Sequence, residues 1–283
     1  MSVAIECVRG EARLADGGAI AYEIQGRIDG AVPLLLIRPL GGTMALWGRF
    51  REALAESFPI VAFDLRGTGR SGGESGWPST RRIAADAVAL LDHLAVSRAH
   101  VFGISLGGMA ATWMGIDAAD RVATLCIASA PARGLDLTRA GAQRAFAMAA
   151  CFARPRGEVE ARLVHRTLSG RFRREHPHEL HMIEAQVRVQ PTSRASLVRH
   201  AIAGALHDVR GHLHRIASPC LALAGALDEL VGTAAPRRLA QGIAGASFDV
   251  VAQAGHDITL EQPLASAARV ARFLLKCNES SVD

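Results

Sequence analysis

The amino-acid sequence predicts an α/β protein, a mostly parallel sheet flanked by helices and interrupted once by a helical insertion. Three observations carry that expectation. Short continuous aliphatic runs, such as Val32 to Ile37, have the pattern of strands buried on both faces. These runs alternate with longer helical stretches, as crossover connections between parallel strands require. After Pro131 the alternation stops, and it resumes at Pro219.

Two early strands are expected on either side of the turn Asp16-Gly17-Gly18, the second running Ala19 to Ile24. Val32 to Ile37 is the next strand, followed by a helix around Ala45 to Ala55 and a strand at Ile60 to Asp64. A Gly-rich turn, Gly67 to Gly73, leads to a stronger helix. There Ile83, Ala87, Leu91 and Leu94 recur at helical spacing, and Thr80 stands at the capping position. The strand His100 to Ile104 feeds a small-residue helix from Ser105 to about Ala118, and Val122 to Ala128 is a further strand. From Pro219 the pattern returns as a strand (Cys220 to Gly225), a helix near Pro236 to Gln241, a strand (Ser247 to Ala252) and a last helix (Ala265 to Leu275). Strands of one sheet thus flank the interruption. Residues 132–211, rich in Arg, His and Ala, are expected to be a helical cap inserted into a core built from 1–131 and 212–283.

Composition narrows the function classes. With 283 residues, 49% of them hydrophobic and 21% charged, the chain can bury a large core and is not of the disordered type. The net charge of +5 is almost entirely arginine, Lys276 being the one lysine. Basic residues gather between Arg154 and Arg174, but no aromatic-rich groove or DNA-binding motif accompanies them, so a solvated helical face is expected and nucleic acid is not. Five cysteines (Cys7, Cys126, Cys151, Cys220, Cys277) are scattered without metal-ligand spacing, and Cys126 and Cys220 sit in apolar runs as small hydrophobes. No signal-peptide pattern and no run of about 20 apolar residues is present, which makes a cytoplasmic protein without a membrane partner the expectation.

The chemistry concentrates at Gly103-Ile104-Ser105-Leu106-Gly107, placed between a strand and a helix. A strand that turns abruptly into a helix forces the serine into a strained conformation, and glycines beside it remove side chains that would clash. The Ser105 hydroxyl is then exposed at a helix N-terminus, whose amides favour a developing oxyanion. A serine needs a base. Of eleven histidines, His256 follows a strand near the C-terminal end of the core. His165, His176, His178, His181, His207, His212 and His214 fall in the polar insertion or near its exit, where surface or structural roles are expected. The acid that orients His256 is read as Asp228, one strand earlier, in preference to the adjacent Glu229. Asp257, next to the histidine in sequence, is expected to point away from the ring and to matter little.

The order Ser105, Asp228, His256 resembles the serine-nucleophile members of the α/β-hydrolase superfamily over nearly the whole chain. Asp64-Leu65-Arg66-Gly67-Thr68-Gly69-Arg70-Ser71 is similar to that superfamily's D-x-R-G-x-G-x-S turn, which implies a structural role for Asp64 and Arg66. The run from Gly255 to Pro263 is similar to its histidine loop leading into the last helix. Where many relatives carry His-Gly-x-Gly, this chain has Arg38-Pro39-Leu40-Gly41-Gly42; by position, the Leu40 and Leu106 backbone N–H groups would form the oxyanion hole. The same stretch, followed by Ala45-Leu46-Trp47, resembles the enol-lactone hydrolases of aromatic catabolism.

The resemblance implies hydrolysis of a carboxylic ester or lactone of a small molecule through an acyl-enzyme, with no cofactor and no metal. Thioester, carbon–carbon bond and perhydrolase chemistry are open on the same triad, as is a non-catalytic ligand-binding member of the fold. A serine at the elbow argues against haloalkane dehalogenases and epoxide hydrolases, which need an aspartate there. Arg38 is read either as an anchor for a substrate carboxylate or as half of a salt bridge. Trp113, Phe146, Met148 and Phe152 are read either as acyl-pocket residues or as core.

Overall fold

The computed structural model describes residues 7–72, 76–143, 158–189 and 192–279. Eight strands among them form one sheet: β1 (Cys7–Arg13), β2 (Ala19–Gln25), β3 (Leu34–Ile37), β4 (Ile60–Phe63), β5 (Ala99–Ile104), β6 (Val122–Ala128), β7 (Cys220–Gly225) and β8 (Ser247–Val251). Their order is β1-β2-β4-β3-β5-β6-β7-β8. β1 and β2 are an antiparallel hairpin, closed by a turn in which Gly17 has φ 83°. β2 joins β4 antiparallel, and every later pairing is parallel.

The continuous aliphatic runs are what a sheet covered on both faces requires. In β3, Leu35 and Ile37 join one buried cluster while Leu34 and Leu36 join another on the opposite face. The first cluster packs under α2 (Thr80–His93), α3 (Leu106–Asp117) and α8 (Ala234–Gln241). The second packs under α1 (Gly48–Ala55) and α10 (Pro263–Glu279). Cys126 and Cys220 are buried, one in each cluster, and burial pushes the Cys220 thiol up to about 12. Truncating one such strand leucine to alanine costs roughly 2–5 kcal/mol.

Two local expectations are corrected. The helix around Ala45 begins as a 3-10 turn, Met44–Trp47, before α1 starts at Gly48. The cap of α2 is Ser79, whose extended backbone lets its side chain accept from the Arg82 N–H at 3.1 Å. Thr80 is already helical, and its hydroxyl meets His207 Nδ1 at 2.8 Å instead. The D-x-R-G turn is as expected. Asp64 accepts from the Met44 and Arg70 N–H groups, and Arg66 pairs with Asp86 and Asp16.

Between β6 and β7 lie α4 (Glu158–Thr167), α5 (Gly170–Glu175), α6 (Pro177–Val189) and α7 (Arg194–Ala205). α4 packs on α6, and α7 rests on α2 and α3. The chain leaves and re-enters the core at one place: Arg133 and Asp208 form an antiparallel bridge, flanked by Gly134 N–H to His207 O (2.8 Å) and Val209 N–H to Ala132 O (2.9 Å). α9 (Ile258–Glu261) follows β8 and precedes α10. No helix among the described residues is long and apolar enough to cross a membrane.

Candidate active site

Ser105 sits where β5 ends and α3 begins, with φ 55° and ψ −118°. That region costs a non-glycine residue about 1–3 kcal/mol, so neighbours must hold it. Its N–H donates to the Ala128 carbonyl of β6 at 2.8 Å, and its carbonyl accepts from the Met109 N–H at 2.9 Å, which starts the helical ladder. The two glycines are there for space. A Cβ on Gly103 would overlap the Gly107 carbonyl, and a Cβ on Gly107 would overlap the Ile37 carbonyl of β3.

The loop after β8 brings His256 over this elbow. Its Nε2 lies 2.8 Å from Ser105 Oγ, and its Nδ1 lies 2.9 Å from Asp228 Oδ2. An ionised carboxylate only accepts, so Nδ1 carries the proton and the Nε2 lone pair faces the serine hydroxyl. Asp228 follows the end of β7, and its other oxygen accepts from the Leu230 and Val231 N–H groups at 2.8 and 3.0 Å. Burial alone would push the Asp228 carboxyl up; the His256 charge and hydrogen bond, with those two N–H groups, outweigh it and hold the carboxyl below its usual range. For His256, burial works downward. The Asp228 charge and hydrogen bond, with Asp257 and Glu261 beyond, outweigh it, and the ring keeps its proton above the ordinary imidazole value. Glu229 is exposed and does not take the ring.

Asp257 makes no hydrogen bond to the ring, but it is not idle. It is buried, pairs with Arg38 at 3.0 Å, and caps α9 through the Thr259 and Leu260 N–H groups. Arg38 also donates to Thr259 Oγ1 at 3.2 Å and lies 4.6 Å from the centre of the Trp47 ring. Of its two readings, the salt bridge is the one present.

A second set of bonds reaches the histidine loop from the insertion. The His256 N–H donates to the Thr167 carbonyl at 3.0 Å. Glu261 accepts from the Ser169 N–H at 2.7 Å, from Ser169 Oγ at 2.5 Å and from the Gly255 backbone. Sequence reasoning missed Thr167, Ser169 and Glu261. Glu261 lay inside the histidine-loop pattern, but its partner is 92 residues away.

Above Ser105 opens a cavity of about 310 Å³. Leu40 and Leu106 both line it. Leu106 is the first residue of α3, so its N–H has no carbonyl of an earlier turn to bond. Pro39 accepts from the Gly42 N–H at 3.0 Å, closing a turn with Gly41 at φ 71°; the proline thus stands before Leu40 without using the Leu40 N–H. Much of the remaining wall is aliphatic and comes from the insertion and the loop after β7: Leu135, Leu163, Val164, Ala201, Leu230 and Val231. His200 of α7, not singled out from the sequence, is there too. Trp113 is not. It sits in the third turn of α3, roughly 12 Å along the axis from Ser105, against Arg81 and His212. Phe146, Met148 and Phe152 lie outside the described residues.

Comparison with known proteins identifies the family. Residues 42–263 match the family model described as serine aminopeptidase, S33. The chain is 30% identical over 261 residues to a protein named putative carbamate hydrolase RutD from Caulobacter segnis, covering 90% of this chain and 96% of that one. A hydrolase from Pseudomonas aeruginosa has a similar structure, with TM-score 0.81, 30% identity and coverage of 94% and 98% of the two chains. So has an enol-lactonase from Burkholderia xenovorans, with TM-score 0.82, 25% identity and coverage of 94% and 100%. A match over most of the chain, to proteins of nearly equal length, makes this chain a hydrolase of the α/β-hydrolase superfamily.

Proposed function

We propose that the protein hydrolyses a carboxylic ester or lactone of a small molecule through an acyl-enzyme, with Ser105 as nucleophile, His256 as general base and Asp228 as its orienting acid. The observation that carries this reading is the single imidazole spanning Asp228 and Ser105 at 2.9 and 2.8 Å. Ser105 Oγ attacks the carbonyl carbon while His256 Nε2 takes its proton. The carbonyl π electrons move onto oxygen, where the Leu40 and Leu106 N–H groups donate to the oxyanion. Collapse expels the alkoxide, which receives the proton from His256. A water then loses its proton to the same nitrogen and attacks the acyl carbon; as the C–Oγ bond breaks, His256 returns that proton to Ser105 Oγ and the acid is released. Asp228 stays ionised throughout and stabilises the imidazolium.

Residues 132–211 act in this reading as a lid, since α4 and α7 supply part of the cavity wall over the nucleophile. No step calls for a cofactor or metal. The names enol-lactonase and carbamate hydrolase among the relatives fit attack of a serine on an acyl carbon.

The test is covalent labelling by a fluorophosphonate probe together with burst release of p-nitrophenol from a short acyl ester. Ser105→Ala is expected to abolish both while leaving the melting temperature within a few degrees. Labelling that persists on another serine, or binding of the ester with no turnover, overturns the reading.

A further inference from the structure

We infer that the cavity beside Ser105, whose 310 Å³ holds roughly ten groups of about 30 Å³ each, selects uncharged aliphatic acyl groups of about eight carbons together with the two ester oxygens, and excludes substrates whose acyl chain ends in a carboxylate. The inference rests on the serine-hydrolase reading and adds the substrate class.

Three observations point the same way. The wall is aliphatic on several sides: Met109 from α3, Leu163 and Val164 from α4, Ala201 from α7, Leu230 and Val231 from the loop after β7. Leu135 also lines the cavity and is 60% exposed, which extends that apolar surface outward. The one arginine of the lining among the described residues, Arg38, has a side chain only 1% exposed, already paired with Asp257 and covered by Trp47. Its two Nη atoms are engaged by Thr259 and Asp257, and its Nε, though without a hydrogen-bond partner, is buried out of reach of solvent. His200, the remaining titratable group of the lining among the described residues outside the triad and the Arg38–Asp257 pair, is neutral at pH 7, because burial pushes its ring down to about 4. A carboxylate entering this space would lose its hydration without gaining a counter-charge.

The test uses the purified protein with p-nitrophenyl esters from acetate to dodecanoate, and with the mono-p-nitrophenyl ester of suberic acid, which carries a terminal carboxylate on an eight-carbon chain. kcat/KM is expected to climb about fourfold per added methylene, to level off near octanoate, and to fall at least about a hundredfold when the chain ends in the carboxylate. Val164→Trp, which fills the wall, is expected to lower the ratio of octanoate to acetate kcat/KM. A second arm needs no chemistry. Ser105→Ala protein, titrated with methyl octanoate and with monomethyl suberate, is expected to bind the first and not the second. A rate that is flat or declines from acetate, or a suberate ester as good as octanoate, overturns the inference even where Ser105 is labelled. If Ser105 is not labelled, the binding arm still decides the cavity's preference, with equal binding of the two esters as the contrary result.

Discussion

Asp228 and Asp257 are both buried carboxylates at the histidine loop, but their partners differ, and so should the effects of changing them. Asp228 meets the ring of His256, whereas Asp257 meets Arg38, 219 residues away in sequence. Asp228→Asn is expected to lower turnover by about 10⁴ with little change in melting, because an amide holds the wrong tautomer and leaves the imidazolium unpaired. Asp257→Asn is expected to act on stability, since removing one partner strands a buried guanidinium. A loss of about 3 kcal/mol, or roughly 6–12 °C in melting temperature, is the expected size. This revises the expectation that Asp257 matters little; proximity in sequence said nothing about a partner so distant. Turnover and melting measured on both variants separate the roles, and a rate loss confined to Asp257→Asn would reassign the acid. The pH profile follows from the same pair. In the proposed mechanism His256 must be neutral to accept the Ser105 proton, so kcat/KM is expected to rise with pH as the ring deprotonates. Because the Asp228 charge holds the proton on the ring, the inflection should lie above the ordinary value of about 6.5. In whatever activity Asp228→Asn retains, the inflection should move down, as burial is then less opposed. An inflection unmoved by that change would mean another group controls the ascent.

At the scale of elements, the strands were the most legible part of the chain. A parallel strand under two helical layers must be aliphatic without a break, and Cys220–Gly225 and Val122–Ala128 begin and end where the sequence pattern does. The elbow was legible for a related reason, since only glycine fits at Gly103 and Gly107 against carbonyls of α3 and β3. Side-chain direction in the third dimension was not. Trp113 reads by type as either a pocket or a core residue, and its position on α3 carries it past the cavity and against the core. The corner between α4 and α5 was equally hidden, because its meaning lies in bonds to Glu261 and the His256 N–H. That corner holds the backbone on which the ring is mounted. Ser169→Ala is accordingly expected to lower kcat by about tenfold at temperatures well below melting, with KM within twofold, as misplacement of a general base does. Ser169→Thr, which keeps both the hydroxyl and a good helix cap, should restore the rate. If the alanine variant melts earlier but turns over normally, the corner is a stability element and not a positioning one.

For the whole molecule, the question is whether the insertion between β6 and β7 is a separable lid. Its two ends meet at the Arg133–Asp208 bridge, where paired Cα atoms stand about 5 Å apart. An Asn-Gly link can therefore replace residues 134–207 without straining the strands on either side. The deletion removes Leu163, Val164, Ala201 and His200 from the cavity wall, and with them the Thr167 and Ser169 bonds to the histidine loop. The sheet, its two buried clusters and the Ser105–His256–Asp228 chain all belong to segments that remain. The shortened protein is thus expected to keep the circular-dichroism signature of the α/β core and to react with a fluorophosphonate at Ser105, at a lower rate. Its kcat/KM should no longer climb with acyl length, because the aliphatic wall has gone. Met109 and Leu106 on the top of α3 would then face solvent, so a lower melting temperature is part of the expected result. A chain that fails to fold would show that α7, resting on α2 and α3, is part of the core. A folded chain that keeps the full chain-length slope would show that acyl selection lies in α3 and the loop after β7, not in the lid.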